Sequence, residues 1–322
     1  MQQSKTKTVT ITMLLLLIFA CQNNNGQKYS FEYNFEKDTI FKRNIRTETK
    51  ISRKMFGEEM TNNMIIHRLM SYKIKDNDDD IYSIDMKLDT FKIDFDVLGI
   101  KNSYNFYDLI GTADEEDLYD KSETKYISKL LMNVPVEFTM DKRGRIKTVN
   151  IDEIFNFINA TDELNSTKKQ FICQQFEKIF SIENIKNYME KPELTYMPQN
   201  PVAVGDKWNL NNSEELPTAF FAKNANIKLK KVINNIALLE IKGNIEIEDY
   251  DDIAIGLTLT IFDNNSTHKT ILKGKEKATV EIDANTGWII KADIVQELEG
   301  YTEVNNMKYP TTAVKTIKIR NE

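Results

Sequence analysis

Strict two-residue alternation constrains this chain more than any other feature. Ala237, Leu239, Ile241, Ile245 and Ile247 are apolar, and Glu240, Lys242, Asn244, Glu246 and Glu248 between them are polar. Successive side chains of a strand point to opposite faces, so this run has one buried and one wetted side, the mark of an antiparallel sheet. Asn234-Asn235 supplies a tight turn before it. Tyr82, Ile84, Met86 and Leu88 place their apolar side on even numbers, whereas Phe91, Ile93, Phe95 and Val97 place it on odd ones. A period of two changes phase only through an extra residue, which predicts a bulge or bend near Asp89-Thr90. The run from Met64 to Ile74 precedes these strands across Asp76-Asn77-Asp78-Asp79-Asp80, a hairpin signal.

The pattern becomes helical in the middle of the chain. Ile151, Ile154, Phe155 and Ile158 fall at helical spacing, and Asn150 with Glu153 resembles a capping box. Phe171, Ile172, Phe176 and Ile179 make a second apolar face. These helices carry too little apolar surface to stand alone and are expected to cover one face of a sheet. The expected organisation is a first β region (28–149), a helical segment (150–191), a connector (192–206) and a second β region (207–322). Residues 28–322 are read as one integrated domain. The expected class is α+β and β-rich, with long antiparallel strands in a curved sheet or half-barrel. Each β region closes on a similar hairpin, one turning from Asp141 to Gly144 and the other from Asp283 to Gly287. Internal duplication is one reading of that likeness, chance recurrence the other. Phe155, Ile158, Phe171, Ile172, Phe176 and Ile179 are the candidate lining of an apolar cavity between helices and sheet. The alternative is that they fill a closed core.

Composition excludes more than it assigns. The 322 residues hold 43 Lys and Arg against 49 Asp and Glu, a net charge of −6. Nucleic-acid binding is not expected, because phosphate neutralisation needs a basic face. Cys173 is the one cysteine besides Cys21, so no disulfide is expected within a chain whose Cys21 is otherwise engaged; Cys173 reads as a small buried hydrophobe. His67 and His268 are too few for a recognisable zinc site. Asp76 to Asp80 lacks the ligand and glycine pattern of a calcium loop. No nucleophile elbow, phosphate loop or dinucleotide fingerprint occurs. No catalytic residue, metal or cofactor is therefore expected. A carboxylate pair of the hydrolase kind stays open, since sequence selects no pair from so many acids.

The N-terminus addresses location. Lys5 and Lys7 precede an apolar run from Val9 to Ala20, too short for a membrane span of about 20 residues and suited to a secretory signal. Ile18-Phe19-Ala20-Cys21 resembles the lipobox of bacterial lipoproteins. That resemblance implies a signal peptide at 1–20, lipidation of Cys21 and a flexible tether at 21–27. Gln22 in place of aspartate implies the outer membrane, and the absence of acids from 22 to 27 implies its periplasmic side. The plainer alternative is an ordinary signal with an accidental cysteine.

Between the halves stands Pro198-Gln199-Asn200-Pro201-Val202-Ala203-Val204-Gly205-Asp206-Lys207-Trp208. Pro198 and Pro201 hold an extended connection, Gly205 permits a tight turn before Asp206, and Trp208 anchors the next strand. This motif, the lipobox, the helical middle and the Asp283 to Trp288 hairpin together resemble a family of uncharacterised lipoproteins from Bacteroidota. The layout is similar, at fold level, to the half-barrels of lipoprotein carriers, where a curved sheet wraps helices around an apolar cavity. The resemblance implies a non-enzymatic lipoprotein attached to the membrane by its lipid, binding an apolar ligand or an envelope partner. Its rivals are a purely structural envelope lipoprotein and a carboxylate-based hydrolase.

Overall fold

Alternation continues here over strands far longer than the usual five or six residues. The computed structural model describes residues 26–55, 57–78, 80–97, 99–105, 134–160, 197–216, 219–249 and 268–322, with a few positions between 162 and 174. The expected signal, Cys21, most of the tether, and Phe171, Ile172, Phe176 and Ile179 lie outside the described residues. The strands are β1 (Lys28–Tyr29), β2 (Ile40–Met55), β3 (Glu58–Asp78), β4 (Ile81–Val97), β5 (Ile100–Asn105), β6 (Val136–Asp141) and β7 (Ile146–Asn150). Helix α1 (Asp152–Ala160) follows. Then come β8 (Val202–Ala203), β9 (Lys207–Leu216), β10 (Ala219–Ile233), β11 (Ile236–Asp249), β12 (His268–Asp283), β13 (Ile289–Val304) and β14 (Met307–Asn321).

Twelve of these strands form one antiparallel sheet in the order β7-β6-β4-β3-β2-β14-β13-β12-β11-β10-β9, with β5 on β4. The sheet is not closed: β7 and β9 are its ends. Both β regions thus join in one curved sheet, as the sequence predicts. The phase change is a bulge, because Leu69 pairs with Thr90 and Met70 with Leu88, leaving Asp89 extra. Asn234 and Asn235 both take positive φ in the β10–β11 turn, the geometry whose twist matches flanking strands.

Curvature has a second source. Gly243, Gly274 and Gly300 occupy inward positions on three adjacent strands. Gly243 pairs with Glu276, two residues from Gly274; Gly274 pairs with Leu298, two residues from Gly300. The glycines therefore step diagonally across the sheet. A Cβ at Gly274 would lie 1.9 Å from the Glu297 carbonyl oxygen, and one at Gly300 2.0 Å from that of Ile271. Without side chains, the neighbouring backbones close in and the sheet coils.

The concave face is layered. At one end Ile45, Tyr72, Ile84, Phe138, Leu229, Leu239, Val280 and Ile294 build the main core. Beyond it Lys223 Nζ sits 2.5 Å from Glu276 Oε1, and Gln296 donates to Glu276 at 2.9 Å. Gly243 lies between the strands of this ion pair and has no side chain to separate them. A second apolar layer follows, of Ile51, Met64, Ile245, Leu272 and Leu298. Thr270, Thr302 and Thr311 then hydrogen-bond in a row with Arg53, ahead of a small cluster of Met55, Val304 and Tyr309.

The main-core end is plugged by residues 30–38. Phe31, Tyr33 and Phe35 alternate inward and are buried, but this segment is a strap, not a strand of the large sheet. Tyr33 N–H donates to Lys142 O at 2.8 Å and Asn34 N–H to Thr286 O at 3.1 Å. The two Asp-to-Gly hairpin turns therefore grip the strap from opposite sides. Helix α1 starts where Asn150 Oδ1 accepts the Asp152 N–H at 2.8 Å. It buries Ile154 and Ile158 in the same core.

Asp141 organises one of the gripping turns. It accepts N–H bonds from Arg143 and Arg145 at 2.9 and 3.0 Å and pairs with the Arg145 and Lys147 side chains. Burial alone would raise its carboxyl, but these donors outweigh burial and hold it below the ordinary carboxylate range. A depressed folded-state value means stability that is present above the unfolded value and lost as pH falls through the folded one. Asp141→Asn should therefore cost about 1–2 kcal/mol at neutral pH. Its melting curve should converge on that of the wild type below roughly pH 4. A gap of constant size from neutral to strongly acid pH would count against the carboxylate as its source.

Candidate ligand cleft at the seam of the sheet

The Pro198–Trp208 motif builds a hook. Val202 and Ala203 of β8 pair with Tyr29 and Lys28 of β1. Gly205, at φ 99°, turns the chain so that its N–H reaches Leu229 O at 2.8 Å, while Leu229 N–H donates to Asp206 O at 3.1 Å. Leu229 is where β10 bulges, and its free edge groups receive the hook. Asp206 Oδ2 closes the turn by accepting the Ala203 N–H at 2.8 Å. Pro198 is buried, Pro201 exposed. Trp208 opens β9 opposite Ile227; it is half-buried and packs on the main core.

An open cleft of about 840 Å³ runs between this hook, the start of β9 and the β6–β7 turn. It lies at the seam where the sheet fails to close. Arg143, Arg145 and Lys207 give it positive charge, and Met197, Trp208 and Leu210 give it apolar wall. Arg143 is fixed by Glu32 at 2.8 Å and by Pro198 O at 3.2 Å; Arg145 is fixed by Asp141 at 2.7 Å. Among its described residues the lining contains no carboxylate, His, Cys, Ser or Thr. The wall can therefore hold an amphipathic or anionic group.

The two described candidate cavity residues, Phe155 and Ile158, fall elsewhere. Ile158 is fully buried in the main core and Phe155 packs half-buried against it; neither lines this cleft. Cys173 is half-buried on the same core. His67 lies in β3, where burial and then the neighbouring Arg46 lower its pKa. Asp76 pairs with Lys37 at 3.2 Å and Asp80 with Lys142 at 2.8 Å, as a solvated hairpin loop would. Among the described residues no group of three or more His, Cys, Asp or Glu could hold a metal. No described helix is long and apolar enough to cross a membrane. Sequence reasoning marked the motif but missed Arg143 and Arg145, which come from a distant hairpin and carry no local signal.

These features define an open-edged antiparallel half-barrel, plugged at one end by its own N-terminal strap and notched at its seam. The chain belongs to the family of unknown function DUF6263, whose profile matches residues 79–289. Among solved structures, lipovitellin, described for its lipid–protein interactions, is similar with a TM-score of 0.41 and 8% identity over 90% of this chain and 25% of that one. This chain thus spans about a quarter of the lipovitellin chain's length. OccK7 (OpdD) of Pseudomonas aeruginosa gives a TM-score of 0.24 and 6% identity over 88% of this chain and 98% of that one. An outer membrane channel from Pseudomonas putida F1 gives 0.21 and 9% identity, over 94% and 100% respectively. Likeness at these values carries no argument about function. No curated protein matches the chain.

Proposed function

We propose that this chain is a non-enzymatic lipoprotein of the outer membrane, facing the periplasm, that binds an amphipathic ligand in the seam cleft. The observation that supports it most is the pairing of β1 with β8. It places the cleft wall beside the point where the chain leads back toward Cys21. The span from Cys21 to Lys28 reaches at most about 25 Å, so a lipid on Cys21 would hold the cleft close to the membrane surface. The cationic and apolar wall suits a molecule with an acyl chain and an anionic group. The ligand enters at the seam because the core around Ile158 is packed.

The test has two arms. Cys21→Ser should move the protein from the membrane pellet to the soluble fraction with its fold intact; a variant still in the pellet rejects the anchor. Native mass spectrometry of protein purified from its own envelope should show a bound lipid, lost in Lys207→Glu and Trp208→Ala. Wild-type protein without any lipid rejects the ligand and leaves the structural envelope protein.

A further inference from the structure

We propose that the small cavity behind the strap is a binding site for a monovalent anion of halide size, held by Arg43. Arg43 points inward from β2 and is only 2% exposed. Its guanidinium lies 4.0 Å from the Trp288 ring centroid and 5.5 Å from that of Tyr72. Its Nε and Nη2 are buried without a hydrogen-bond partner. No described carboxylate pairs with it; Glu32 of the strap is taken by Arg143 and Lys142. Ring faces attract a cation but do not cancel its charge or accept its N–H groups. A buried, unpaired charge is among the most costly arrangements a fold can contain.

The cavity beside it measures about 30 Å³ and is lined by Arg43, Arg143, Tyr33, Tyr72, Phe138 and Trp288, among others. Since about 10–15 Å³ holds one water, the space admits a halide ion and is too small for phosphate or sulfate. Arg43 and Arg143 both line it, and the Arg143 charge is already balanced by Glu32. Tyr33 does not supply the missing charge: burial raises its phenol more than the nearby Arg43 lowers it, so it stays neutral. Water in the cavity would satisfy N–H groups but leave the charge. A halide does both, and the low dielectric of the site strengthens the attraction.

Thermal melts of the full chain at constant ionic strength decide the matter, with millimolar chloride or bromide replacing gluconate. The expected result is a saturable rise of several degrees with either halide and none with sulfate beyond its general effect. Arg43→Met should abolish the rise. Equal melting in chloride and gluconate, or the same rise in Arg43→Met, overturns the proposal. Should Arg43→Met fail to fold, wild-type crystals grown in bromide give an independent answer. An anomalous peak beside the Arg43 guanidinium supports the site, and its absence rejects it.

Discussion

Gly274→Ala lowers stability by about 3–5 kcal/mol, more than most single-methyl additions. The added carbon meets the backbone of β13, with the Glu297 carbonyl oxygen at 1.9 Å and the Leu298 Cα at 2.8 Å. A backbone locked in a ladder on both sides yields far less than the tip of a flexible side chain. Gly300→Ala should behave alike, because its new carbon meets the Ile271 carbonyl at 2.0 Å. Urea denaturation of both variants measures the effect. Midpoints equal to that of the wild type would mean that the strands spread at no cost, and that the glycine diagonal does not set the curvature.

Trp288→Ala costs about 3–5 kcal/mol through the cavity it leaves, and its loss extends to Arg43. Trp288 is 6% exposed, and its ring lies 4.7 Å from that of Phe41, 5.4 Å from Tyr72 and 5.9 Å from Phe35. Its Nε1–H donates to Asn321 at 2.6 Å. The ring also faces the guanidinium, an interaction worth about 2 kcal/mol when desolvated. Removing either partner strands the other, so the double variant with Arg43→Met should cost about 1–2 kcal/mol less than the sum of the single changes. Strict additivity in chemical melts would show that the pair does not interact.

The sequence was most readable where one face of a strand is wet and the other dry. β11 alternates cleanly, and the phase change near Asp89-Thr90 marked the bulge found there. β2 was unreadable for the opposite reason. Its inward positions include Arg43, Thr47, Thr49 and Arg53, facing Asn44, Arg46, Glu48 and Lys50 on the other side. Polar residues on both sides erase the periodic contrast. Phe31, Tyr33 and Phe35 show strand alternation, yet the backbone of Tyr33 and Phe35 bonds to a hairpin turn and to the Tyr82 hydroxyl instead of a strand ladder, a distinction that side-chain pattern does not carry. The motif gave its turn correctly at Gly205 and Asp206. It could not give the cleft, whose facing walls stand more than fifty residues apart in the chain.

The pairing of β2 with β14 has a consequence in time as well as space. Thr47 lies opposite Ile317, so the middle of the sheet is assembled from the two extremes of the described chain. Every other large ladder joins strands near in sequence and can form early as a hairpin meander. This one waits until residues 311–321 exist and have travelled back to the start. Closing so long a loop makes folding slow. Until it closes, β2 and β14 present bare edges of sixteen and fifteen residues to any other unfinished copy. The last strand is therefore both the keystone of the sheet and the guard against self-association.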